Sequence, residues 1–186
     1  MSTPILPQAT TLAHQLIAAR VSSGDRALDA TAGNGHDTVF LCALVGEEGQ
    51  VHAVDLQVEA IEATQDRVGP VPQLTLELGD HSSMRECPFE HCEAAMLNLG
   101  YLPGGDKCIT TTPQSTVAAL DRISEMLEPR GILTITVYTG HPGGEEEAEA
   151  VRDWAEALDQ HHFAVARYEF LNQRNPPPHL IAVERR

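Results

Sequence analysis

Asp29-Ala30-Thr31-Ala32-Gly33-Asn34-Gly35 is the stretch that decides how this chain folds. Residues 26–30 before and within it read as a short buried strand, and residues 37–45 after it as an apolar helix. Glycines at such a strand-to-helix turn let a ligand approach the backbone. The helix that follows adds its positive N-terminal end. Asp55 closes the next predicted strand, 20 residues after Gly35, where a carboxylate can take both hydroxyls of a ribose. Asp80 and His81 follow the third strand, and Asn98 closes the fourth.

Outward from this turn the chain alternates strand and helix. A leading helix over 9–20 sets Leu12, Leu16 and Ile17 at helical spacing. Strands are predicted at 26–30, 50–55, 73–78, 94–99, 131–138, 163–171 and 180–184, with helices at 37–45, 58–68, 112–127 and 145–160 and a short one at 82–86. Thr112-Pro113 is a good helix start, because Thr caps and Pro suits the first helical position. Glu145, Glu146 and Glu147 suit the dipole of a first turn and read as a solvated face. The alternation predicts one α/β domain over 1–186: a doubly wound, mostly parallel, seven-stranded Rossmann-like sheet whose last strand is antiparallel.

Composition narrows the function. The 186 residues carry 12 Lys+Arg against 27 Asp+Glu, a net charge of −15, and 42% are apolar. That is enough for a core. The longest apolar run, 39–45, is far too short to span a membrane, and the N-terminus lacks the pattern of a signal peptide. A cytoplasmic protein with reduced cysteines and no metal is expected. So acidic a chain has no broad electrostatic grip on nucleic acid. Its charge is uneven, however: residues 1–93 hold 4 basic and 14 acidic residues, and 94–186 hold 8 and 13.

Two ligands use this layout, a dinucleotide and S-adenosylmethionine. The dinucleotide fingerprint wants a third glycine where Thr38 stands, and Asp29 in the turn suits a cationic sulfonium better than a pyrophosphate. Asp80 can accept from the exocyclic amine of adenine. The expected donor-binding set is Asp29, Thr31, Gly33, Asn34, Gly35, Asp37, Thr38, Asp55, Gln57, Asp80, His81 and Asn98.

DATAGNGHDTVFL, AVDLQ, NLGYLPGGDK, TTTPQST, VYTGHPGGEEE and FLNQRNPPP together resemble one family over about residues 8–184. It is the family of small bacterial methyltransferases long labelled rRNA methylases, whose members are understood as tRNA wobble-uridine methyltransferases. The resemblance implies a class I methyltransferase fold with S-adenosylmethionine as methyl donor. It implies an acceptor in the anticodon loop of tRNA: the aminomethyl group of 5-aminomethyl-2-thiouridine, which becomes methylaminomethyl. It also leans towards a homodimer. Alternatives are a methyltransferase of rRNA or of a small molecule, a non-catalytic adenosylmethionine-binding module and, more distantly, a nicotinamide oxidoreductase.

Methyl transfer to an amine needs a neutral, aligned acceptor kept from water. Asn98, Tyr101 and His141 are the catalytic candidates: an amide that orients amine protons, a ring that shapes the pocket, and a group that titrates near neutrality. Gly100, Tyr101, Lys107, Tyr138, His141 and Arg174 are the expected substrate contacts, with Asn172 and Asn175 beside Arg174. His14, His52, His91, His161 and His162 receive no role.

Overall fold

A computed structural model describes residues 5–100, 102, 104, 110–174 and 177–186. In chain order its elements are α1 (Ala9–Arg20), β1 (Arg26–Asp29), α2 (His36–Val45), β2 (Gln50–Asp55), α3 (Val58–Val68), β3 (Leu74–Leu78), β4 (Cys92–Leu99), α4 (Pro113–Met126), β5 (Leu127–Val137), α5 (Gly144–Ala157), β6 (Phe163–Tyr168) and β7 (His179–Arg185). The seven strands form one sheet in the order β3-β2-β1-β4-β5-β7-β6. β1 to β5 pair in parallel, and β7 runs antiparallel between β5 and β6. The expected doubly wound sheet is present, with its last strand reversed. The order turns between β1 and β4, which opens a crevice at the carboxyl ends of the strands.

Helices cover both faces. Ala9, Ala13 and Ile17 of α1 pack with Leu41, Cys42 and Val45 of α2 over Ala27, Ala94 and Met96. On the other face, Ala119, Leu120 and Ile123 of α4 and Val151 and Trp154 of α5 pack over Leu28, Ala95, Leu97 and Leu99. Neighbours along a strand therefore face opposite layers, as the pleat requires. The parity has a functional result. Asp29 shares the face of Ala27, and Asn98 shares the face of Ala94 and Met96, so both polar side chains emerge beneath α1 and α2.

One predicted element is absent. Residues 82–86 form turns, not a short helix. Met84 takes a left-handed φ of 37°. The backbone N–H groups of Arg85 and Glu86 are taken by the carboxylate of Glu77, and the guanidinium of Arg122 donates to the carbonyls of Ser83 and Met84. Side chains satisfy this backbone where a helix would otherwise do so. Glu77 also meets the buried His52 ring at 3.1 Å, which gives that histidine a place in the core. Among the described residues no helix is long and apolar enough to cross a membrane.

Candidate active site

Glycine makes the turn after β1 possible. Gly33 and Gly35 have φ of 53° and 76°, a region other residues rarely adopt. A Cβ on Gly35 would lie 2.8 Å from Cα of Thr64, so α3 also packs directly on the turn. Thr64 donates its hydroxyl to the Gly33 carbonyl at 3.2 Å, and Arg67 donates to the Asn34 carbonyl at 2.5 Å. Sequence reading missed both α3 residues.

Above the turn lies a cavity of about 1100 Å³. Of the expected set, Thr31, Gly33, Asn34, Asp37, Asp55, Gln57, Asp80, His81, Asn98, Gly100 and Tyr138 line it. Asp29, Gly35 and Thr38 stand behind the wall instead. Asp29 is fully buried; its oxygens accept from Thr38 Oγ1 at 2.6 Å and from the Thr31 amide at 3.2 Å. It braces the turn, where sequence reading placed it against the ligand. Burial, with the charge of Asp37 second, pushes its carboxyl up to about 7.

Asp55 accepts from the amides of Gly33 (2.9 Å) and Gln57 (3.0 Å). A carboxylate has about four acceptor positions, so two remain for a diol in the cavity. Asp80 is held by the Ser82 amide at 2.8 Å. Burial holds the imidazole of His81 below the usual histidine range. Its Nε2 is buried with no partner among the described residues. A nitrogenous ring edge at this point of the wall would satisfy that orphan atom. No Lys or Arg is among the described lining residues, while Asp37, Asp55 and Asp80 are. Such a wall suits a cationic ligand carrying a ribose and a purine.

At the other end, α2 and β4 meet. The Asn98 amide nitrogen donates to Asp37 Oδ2 at 2.5 Å, and the Asn98 backbone amide donates to Thr31 Oγ1 at 2.7 Å. Because an ionised carboxylate only accepts, the Asn98 amino group must face Asp37, and its carbonyl oxygen turns elsewhere. The second Asp37 oxygen meets His14 Nε2 at 2.6 Å. The His14 ring stacks on Phe40, with centroids 4.0 Å apart and planes 7° off parallel. Thr10, Thr11, His14, Gln15 and Ala18 of α1 line the cavity. The helix read as plain packing is thus also a wall, and His14, given no role from sequence, is in it. Thr10, His14 and Ala18 form a second stripe, about 100° round the helix from the buried Ala9, Ala13 and Ile17.

Three further placements differ from expectation. Glu147 is 1% exposed, not solvated. Its two oxygens accept from Thr111 Oγ1 at 2.7 Å and Thr116 Oγ1 at 2.6 Å, and Thr111 Oγ1 in turn accepts from the Gly100 amide at 3.0 Å. His141 lies against Gly100 and Gly144, with Nδ1 3.0 Å from the Pro142 carbonyl, and is not among the lining residues. Arg174 is exposed and also outside the wall. Tyr101, Lys107 and Asn175 lie outside the described residues. Tyr138 lines the cavity as a protonated phenol, since burial and then the charge of Asp37 raise its pKa. Burial also raises the thiols of Cys42 (to about 11), Cys87 and Cys92 (to about 12), so they are poor nucleophiles.

Known proteins place this architecture. The family profile described as "Putative rRNA methylase" matches residues 51–184. A chloroplastic tRNA (mnm(5)s(2)U34)-methyltransferase of Arabidopsis thaliana is 36% identical across 91% of this chain and 67% of its own length. A putative rRNA methylase from Clostridium thermocellum superposes with a TM-score of 0.95 at 38% identity, covering 98% of this chain and 100% of that one. A putative methyltransferase from Streptococcus mutans, in complex with SAH, superposes with a TM-score of 0.89 at 36% identity over 98% and 100% of the two chains. On the extent of the matched sequence and the agreement of the sheet, the chain belongs to this methylase family and is a methyltransferase of the class I adenosylmethionine-dependent fold.

Proposed function

We propose that this protein transfers a methyl group from S-adenosylmethionine to the aminomethyl nitrogen of 5-aminomethyl-2-thiouridine at the tRNA wobble position. The observation that carries the reading is the Asp37–Asn98 contact at the end of β4, inside an acidic cavity. The bound donor supplies an electrophilic methyl on a sulfonium. In this reading Asp55 takes the ribose hydroxyls, Asp80 and His81 the adenine edge, and Thr31, Gly33, Asn34 and Gln57 shape the donor's seat. Asp29, Gly35 and Thr38 hold that seat from behind.

The acceptor must arrive as a neutral amine, in line with the sulfur and about 3 Å from the methyl. The Asn98 carbonyl oxygen orients an amine N–H, so the nitrogen lone pair turns to the methyl. Tyr101 and Tyr138 flank the base. Gly100 leaves room for it, and His141 supports the Gly100 backbone from behind. Lys107 and Arg174 contact phosphate, giving a small grip that reads shape. The domain spans 1–186, works in the cytoplasm and pairs as a homodimer that joins two substrate surfaces.

The test is methyl transfer from labelled S-adenosylmethionine to tRNA carrying 5-aminomethyl-2-thiouridine, followed by nucleoside mass spectrometry. Appearance of the methylaminomethyl nucleoside is expected. No transfer to that tRNA, with transfer to rRNA or a free amine instead, overturns the acceptor. Absence of S-adenosylmethionine binding overturns the donor.

A further inference from the structure

We infer that His14 is a catalytic residue, the base that removes the proton from the acceptor ammonium. The inference rests on the reading above that the acceptor is an aliphatic amine. Such an amine is mostly an ammonium at neutral pH and has no lone pair to attack with. Some group in the wall has to accept the proton.

The geometry singles out His14. Its side chain is 35% exposed, so it is reachable from the cavity it lines. Its Nε2 lies 2.6 Å from Asp37 Oδ1. Asp37, as a carboxylate, accepts only, so in the neutral ring Nε2 carries the hydrogen and Nδ1 holds the lone pair. Asp37 thereby sets the tautomer. Stacking on Phe40 fixes the ring plane and places a π face against the developing cation. Asp37 holds both His14 and Asn98, one on each oxygen, so its place in the wall is that of an anchor for these two side chains. The competing histidine, His141, lies outside the wall with Nδ1 directed to a carbonyl. His36 lines the cavity too, but no side-chain carboxylate is bonded to it among the contacts described.

The step balances. The ammonium gives one proton to His14 Nδ1. The freed lone pair forms the N–C bond as the S–C bond breaks, and that electron pair stays on sulfur as a neutral thioether. The product leaves as a secondary ammonium, and His14 releases its proton to water. Among the described lining residues the other titrating groups are Asp37 and His36 from α2, Asp55 at the end of β2, Asp80 and His81 after β3, and Tyr138 after β5.

His14→Gln decides the matter, because the glutamine amide can still donate to Asp37 but cannot act as a base. Single-turnover methylation of tRNA carrying 5-aminomethyl-2-thiouridine is followed from pH 6 to 9.5. Adenosylhomocysteine affinity is measured by calorimetry. The variant should lose about 100- to 1000-fold in rate at pH 7, and the deficit should shrink as pH rises and the free amine loses its proton. Its affinity for adenosylhomocysteine should stay within about twofold, which also shows that it folds. A rate within about threefold of wild type at every pH overturns the base role. So does a loss of equal size at every pH, the signature of a positioning contact. If the wild-type protein makes no product, the amine acceptor itself is wrong, and the role of His14 falls with it.

Discussion

Thr38 donates its hydroxyl to Asp29 across 2.6 Å, and both side chains are fully buried. The carboxyl is raised to about 7 by burial and then by Asp37, against about 3.9 in an unfolded chain. Between those values the folded protein binds more protons than the unfolded one. The stability from this group is therefore complete below about pH 4 and is lost as pH rises through 7. In urea unfolding at pH 5 and pH 8, Asp29→Asn should gain on wild type as pH rises. Parallel curves would assign the pH dependence to another group.

The turn glycine can be tested against an internal control. Gly35 and Gly143 both take the left-handed conformation, with φ of 76° and 83°, but of the two only Gly35 would bring an added Cβ within 3 Å of a backbone atom. Gly143→Ala should cost only the conformational strain, about 1–2 kcal/mol. Gly35→Ala should cost clearly more and weaken adenosylhomocysteine binding, because α3 has to move. Equal losses in denaturant midpoint would show that the turn tolerates the shift.

Glu147 connects α5 to the segment after β4. Removing it strands the buried hydroxyl of Thr116, at about 1–3 kcal/mol for a group left unsatisfied, and takes the acceptor from the part-buried Thr111. Glu147→Ala should lower the thermal midpoint and raise the KM for tRNA, since Thr111 also holds the Gly100 amide. The affinity for adenosylhomocysteine should change much less. A variant with normal KM would separate the segment from acceptor binding.

Asp55 is the proposed diol contact. Asp55→Ala should weaken adenosylhomocysteine by about 10- to 100-fold, as expected for lost hydrogen bonds to a charged acceptor. Calorimetry reads this directly. Because Asp55 also takes the Gly33 amide, Asp55→Asn should recover part of the loss. Binding unchanged in both variants would move the ribose elsewhere.

Much of this was legible in the sequence, because the informative residues sit at strand ends. Alternating apolar strands and helices define the sheet, and Asp29, Asp55, Asp80 and Asn98 each close or follow a parallel strand. What stayed hidden depends on which way a helix faces. The three glutamates at 145–147 look alike, yet only Glu147 shares a stripe with Val151 and Trp154, and those are the residues that pack inward. His14 was hidden likewise, because α1 carries a second, polar stripe over the cavity. The role of Asp29 was misplaced since an acid at a turn can serve the ligand or the turn. Burial decides between those uses, and burial is a tertiary property.

The cavity wall with three aspartates and no described lysine or arginine has a consequence for turnover. Negative walls distinguish molecules by charge as well as by shape. A sulfonium loses its positive charge when its methyl leaves, while adenine and ribose are unchanged. The spent molecule therefore forfeits the electrostatic part of its hold and keeps the rest. Exchange of used for fresh donor is favoured by the same carboxylates that collect it, with no moving part required. High salt, which screens charge, should narrow the difference in affinity between the two.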